Sequence, residues 1–291
     1  MKRKIIVGIL FLMLFSTMLV SATNIEKKEK MVGRTAVVDN LVDVPVWEKG
    51  DSWVFNEHYN EFIYNDDGTI ALGWYHNCTS TYTVIDDIGD TYKVKLTSKN
   101  NEGSFIIGPI QLKYTRFTKL TQELEHRKTD LAYLGVLHQE KGPVFWLFGK
   151  IGIPIPAYYS LVTDYICTPA FELFPFPITQ GKTGIFSNFT TTGHQKISLY
   201  FGLIKLSDSD FSYETPAKDY ICEIENITVP AGTYDAYRIS TDEGSEQNYS
   251  RHYYVPEVGF YAKVSNHLET EEDGKPLLNY EHELVSTTYK P

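Results

Sequence analysis

Apolar and polar residues alternate with a period of two along most of the chain. Tyr82 and Val84 stand against Thr81 and Thr83; Tyr92, Val94 and Leu96 stand against Lys93 and Lys95. Successive side chains on an extended backbone point to opposite faces, so this pattern predicts strands with one buried and one wet face. Between the runs lie turn signals: Asn65-Asp66-Asp67-Gly68-Thr69, Asp86-Asp87-Ile88-Gly89-Asp90 and Asp273-Gly274. Asp-Gly tolerates the positive φ of a tight hairpin turn. The alternation starts near Val44-Pro45-Val46-Trp47 and includes a strand over 105–117 interrupted at Gly108-Pro109. It resumes from Thr179, with strands over 185–192, 195–204, 220–229, 233–241, 249–255, 260–268 and 278–288. Residues 118–141 contain a helix-forming run, Gln122 to Lys128, but Leu131, Tyr133 and the polar turns beside them fit strands, and strand is the reading adopted.

Residues 143–178 break the pattern. They carry Phe145-Trp146-Leu147-Phe148, Ile151-Gly152-Ile153-Pro154-Ile155-Pro156 and Phe171 to Pro177, with Lys150, Asp164 and Glu172 as the charges. The prolines forbid one long helix and disfavour central strands. The leading reading is an apolar crossover plugging the core between two β-modules. A second is an aromatic lining for a hydrophobic ligand, with Trp146, Phe148, Tyr158, Tyr159 and Phe174 as its contacts; a third is a loop that touches a membrane. The expected fold is mainly β. Antiparallel sheets would form a curved half-barrel or two sandwich-like modules, with a short helical or apolar crossover. The expected segments are 1–22 signal peptide, 23–43 mobile leader, 44–142 N-terminal module, 143–178 crossover and 179–291 C-terminal module.

The N-terminus changes the picture by assigning a compartment. Met1-Lys2-Arg3-Lys4 is a basic start, residues 5–20 are apolar and uncharged, and Val20-Ser21-Ala22 offers small residues for cleavage after Ala22. The apolar run is shorter than the roughly 18–20 residues of a spanning helix, so the mature chain is expected outside the cytoplasm with no transmembrane segment. An uncleaved N-terminal anchor is the other reading. Loss of Lys2, Arg3 and Lys4 takes the formal charge from -10 to -13. Such acidity argues against nucleic acid as a partner. Of the three cysteines, Cys78, Cys167 and Cys222, one pair can form a disulfide in an exported chain. Cys167 with Cys222 is favoured weakly, since each follows Asp-Tyr-Ile.

Two motifs stand out in the C-terminal half: Val229-Pro230-Ala231-Gly232-Thr233-Tyr234-Asp235-Ala236-Tyr237 and Tyr253-Tyr254-Val255-Pro256-Glu257-Val258-Gly259. Physically each is a turn between strands, with Pro230, Gly232, Pro256 and Gly259 as its structural residues. Together they resemble V-x-A-G-T-[FY]-x-[AT]-[YF] and [WY]-Y-x-P-x-V-G, motifs of a family of secreted β-rich proteins of unknown function frequent in archaea. Tyr253 departs from that family's frequent Trp. The resemblance covers mainly residues 180–268. It implies an architecture similar to that of extracytoplasmic lipid and lipoprotein carriers.

Catalytic signatures are missing. The chain has no G-x-S-x-G, no H-E-x-x-H, no C-x-x-C and no phosphate-binding glycine loop. The aspartates Asp208 and Asp210 with Glu214 lack the glycine and spacing of a calcium loop. No metal or cofactor is expected. His252, among aromatics, reads as a packing residue. Asn77, Asn188, Asn226 and Asn248 each begin an N-x-[ST] acceptor for a surface glycan. The expectation is thus an exported, non-catalytic binding protein that carries or sequesters a hydrophobic ligand, such as a lipid or another apolar small molecule. The competing readings are a cell-envelope structural or interaction protein with no small ligand, and a secreted hydrolase with an unfamiliar site.

Overall fold

The first and last strands of the chain lie side by side. In the computed structural model, which describes residues 41–65, 67–107, 110–148, 154–200, 203–241, 248–269 and 275–291, β1 (Ser52–Tyr64) pairs antiparallel with β15 (Pro276–Thr287). On its other edge β1 pairs with β2 (Ile70–Ile88), and the chain then meanders through β3 (Thr91–Ile107), β4 (Ile110–Tyr114), β5 (Lys119–Arg127), β6 (Tyr133–Phe148) and β7 (Pro154–Phe171). The second half supplies β8 (Thr183–Phe186), β9 (Phe189–Leu199), β10 (Ile204–Thr215), β11 (Lys218–Val229), β12 (Gly232–Ser240), β13 (Tyr249–Val255) and β14 (Phe260–Glu269). All fifteen belong to one antiparallel sheet ordered β10-β9-β7-β6-β4-β3-β2-β1-β15-β14-β13-β12-β11-β8. The short strands β4 and β5 share one place in it, each pairing with β3 and β6.

The alternation explains why these residues become strands. On β2, Leu72, Trp74, His76, Cys78, Ser80, Tyr82 and Val84 are all buried, while Tyr75, Asn77, Thr79, Thr81 and Thr83 face outward. On β3, Tyr92, Val94, Leu96 and Ser98 are buried and Lys93 and Lys99 exposed.

The two ends of the sheet are tied together. β8, the last strand at one end, leads through Ser187 and Asn188 into β9, next to last at the other. β10 leads back through Pro216 and Ala217 into β11. With two linking residues the flanking strand ends lie at most about 11 Å apart, so the sheet curls into a ring with a seam. Asn188, in the first of these links, donates through Nδ2 to Glu214 Oε1 on β10 at 3.0 Å.

One continuous antiparallel sheet runs through both expected modules, and the apolar segment is mostly strand among the described residues. Among the described residues there is no helix, so the short helical crossover expected within 143–178 is corrected. The prolines are accommodated where the ladder lacks a neighbour. Pro154 and Pro156 pair with β6, but β9 does not reach them, since its pairing with β7 begins at Tyr159. Pro143 falls in the gap between β4 and β5. A missing N–H costs little at such edge-like positions. Among the described residues of the segment only the tail leaves the sheet, and it does plug the interior: Leu173, Phe174 and Ile178 are buried, with Val42 bridging Ile178.

One end of the interior is an aromatic floor. Phe260 lies 5.3 Å from both Trp47 and Trp53, and Phe174 lies 5.1 Å from Tyr254. Trp47 Nε1 donates to Gly259 O and Trp53 Nε1 to Val258 O, each at 2.8 Å. The turn after Pro256 is thus fastened to the start of the domain, with Gly259 at φ +66°. Likewise Ala231 N, beside Gly232 at φ +149°, donates to Leu284 O at 3.0 Å.

Candidate functional site: a polar chamber inside the ring

Above the floor the inward positions stop being apolar. The same period of two that buries Trp53 and Phe55 also turns inward Glu57, which is mostly buried, and buries Tyr59 on β1. It does the same with His76 and Ser80 on β2, His138 and Glu140 on β6, and His282 on β15. Of these, Glu57, Tyr59, His76 and His138 line a chamber of about 100 Å³. Its walls are the rings of Tyr59, Trp74, Tyr133, Tyr165, Tyr261 and Tyr280, with leucines and valines between them. Glu57, His76, Gln122, His138 and His252 bring polar atoms to it. No lysine or arginine is among the described residues that line it.

Glu57 is the centre of a hydrogen-bonded network. Its carboxylate accepts from Ser80 Oγ and, at 3.4 Å, from Tyr82 Oη. His282 Nε2 lies 3.0 Å from Glu57 Oε1, off the N–H axis, and His282 Nδ1 meets Tyr280 Oη at 2.7 Å. Burial pushes the Glu57 carboxyl up. The His282 imidazole beside it and the hydrogen bond from Ser80 outweigh it and hold the group down at about 2. Glu57 is therefore a carboxylate at any ordinary pH.

The other inward histidines are kept neutral. Burial pulls His138 down to about 3, His126 to about 4 and His252 to about 4. His76 is also lowered by burial, while its Nε2 contact with Asn101 Oδ1 at 2.9 Å works against the shift. Glu140 goes the other way: burial raises its carboxyl to about 7, with Tyr114 beside it partly offsetting this.

Ser80, Glu57 and His282 do not form a nucleophilic triad. In a nucleophilic triad a histidine bridges the nucleophile and the acid. Here Glu57 bridges Ser80 and His282, so the histidine is not placed to take the serine proton. Among the described residues no three His, Cys, Asp or Glu side chains converge to hold a metal. Asp208 and Asp210 instead flank the exposed imidazole of His194, at 2.9 and 2.8 Å.

The sequence-derived candidates lie elsewhere. Tyr159 and Phe174 are buried core residues, Tyr159 facing Phe105 at 6.1 Å, and neither they nor Tyr158 line the chamber. Trp146 and Phe148 lie on β6, their side chains outside the described residues. The chamber residues Tyr59, Trp74, His76 and His138 were missed. The available signal was polar residues recurring at buried-parity positions, as in Trp74, His76, Cys78, Ser80 and Tyr82. His252 packs as expected yet also lines the chamber.

The Cys167–Cys222 pairing is corrected. All three cysteines are free and buried. Cys167 on β7 and Cys222 on β11 belong to strands that do not pair. Burial pushes each of these two thiols up to about 11. Of the glycan acceptors, Asn188 and Asn226 are exposed, and Asn77 and Asn248 half-buried. The signal segment and the leader up to residue 40 lie outside the described residues.

The chain matches no family model, no curated protein and no solved structure. The likeness to the secreted β-rich family rests on the two turn motifs alone.

Proposed function

We propose that the protein is an exported, non-catalytic binding protein that encloses a small molecule inside its ring. The observation that carries this reading is the chamber itself, an aromatic-walled space whose polar groups come from strands far apart in sequence. Core packing alone favours apolar side chains at such positions, because each buried polar group costs free energy unless satisfied. The size of the space sets the ligand. Pockets for drug-sized molecules run to roughly 300–1,000 Å³, whereas this chamber holds about 100 Å³. It suits a compact molecule, not an acyl chain, and so narrows the lipid-carrier reading. The export signal at residues 1–22 and the motif resemblance support an extracytoplasmic location.

Native mass spectrometry of protein purified from its own host tests this. The expected result is a co-purified small molecule released on denaturation. A mass equal to that of the bare chain, together with displacement-free NMR spectra in the presence of small probes, would instead support a structural protein of the cell envelope.

A further inference from the structure

His138 is buried completely, yet one of its ring nitrogens has no partner. Gln122 Nε2 lies 2.9 Å from His138 Nδ1. An amide nitrogen can only donate, so Nδ1 accepts, and a neutral imidazole then carries its proton on Nε2. That Nε2–H is fully buried, unpaired and on the chamber wall. The ring stands edge-on to Trp74, with centroids 6.2 Å apart and planes at 88°. A buried donor left unpaired costs roughly 1–3 kcal/mol, which is a reason for it to meet a ligand.

The charges around the chamber narrow the ligand further. Glu57 repels an anion, and no lysine or arginine in the described lining attracts one. Ser80, Tyr82 and His282 all engage Oε1 of Glu57 and the Cys78 thiol meets Oε2 at 3.6 Å, and no second carboxylate stands in the described lining to complete a site for a cation.

We infer that the chamber recognises an uncharged small molecule by a hydrogen bond from His138 Nε2–H to an oxygen acceptor on it, an inference that rests on the chamber being a binding site. Gln122 is the positioning residue, since its amide fixes which nitrogen carries the proton. The depressed basicity of His138 keeps the ring in this neutral form across the physiological range.

Ring probes of nearly equal size test the idea by ligand-observed NMR on the full mature chain. Cyclopentanone is expected to bind roughly tenfold more tightly than cyclopentane, the worth of one hydrogen bond, and tighter than tetramethylammonium or propionate. Long-range ¹H–¹⁵N spectra are expected to show the Nε2–H tautomer of His138 and a shift of its signals on adding cyclopentanone. His138→Phe is expected to bind both rings equally. Gln122→Glu offers Nδ1 an acceptor instead of a donor, so it moves the proton to Nδ1 and is expected to shift preference from cyclopentanone to cyclopentanol. Equal binding of ketone and hydrocarbon by the wild type, or tightest binding of tetramethylammonium, overturns the inference and leaves the chamber a binding site. Binding of no probe at all, with only water inside, overturns both.

Discussion

Two carboxyls in the same interior have opposite titration behaviour, because one has partners and the other has little but burial. Glu140 ordinarily titrates at 4.5 and is raised to about 7. The folded chain therefore holds a proton there that the unfolded chain releases, and this contribution to stability is lost as pH rises from about 4.5 through 7. Glu140→Gln is expected to leave stability unchanged near pH 4 and to raise it by about 2–3 kcal/mol at pH 8, as read from denaturant midpoints. His126 has the opposite sign. Its folded value near 4 lies below the ordinary 6.5, so the unfolded chain binds the proton first, and stability falls as pH drops from 6.5 toward 4. In His126→Phe, melting curves taken over that window are expected to flatten by roughly 1.4 kcal/mol per pH unit. These groups were hard to find in the sequence. Polar residues such as Glu57 and His138 look like the wet face of a strand until the partner strands are known, and those partners are distant in sequence.

The strands themselves were far more legible, because period-two alternation and Asp-Gly turns are local signals. Residues 143–178 were misread for a definite reason. A proline excludes a central strand only where both neighbours need its N–H, and here the neighbours stop short at Pro143, Pro154 and Pro156. That gap depends on strand lengths elsewhere in the sheet, which no local window contains. The turn motifs were legible as turns, but not as attachments to Trp47, Trp53 and β15. At Gly232, φ of +149° is strained for any side chain with a Cβ. Gly232→Val is expected to cost about 1–3 kcal/mol in chemical denaturation. Phe174→Ala removes a fully buried ring from the floor and is expected to cost about 3–5 kcal/mol, with binding of a chamber probe retained at temperatures where the variant stays folded.

At the scale of the whole molecule, the ring has two kinds of closure. Short links close the seam, whereas β1 and β15 close it across nearly the full described length. Deleting 276–291 removes the partner of both β1 and β14, and the truncated chain is expected to lack a cooperative melting transition by circular dichroism. The pairing of first strand with last also imposes an order in time. β1 emerges early and must wait, one edge unsatisfied, until β15 has been made. Contacts between residues so far apart in sequence are slow to form. The sheet thus stays open for the whole interval between the making of β1 and that of β15, and the strands made in between are held in an unfinished ring until then.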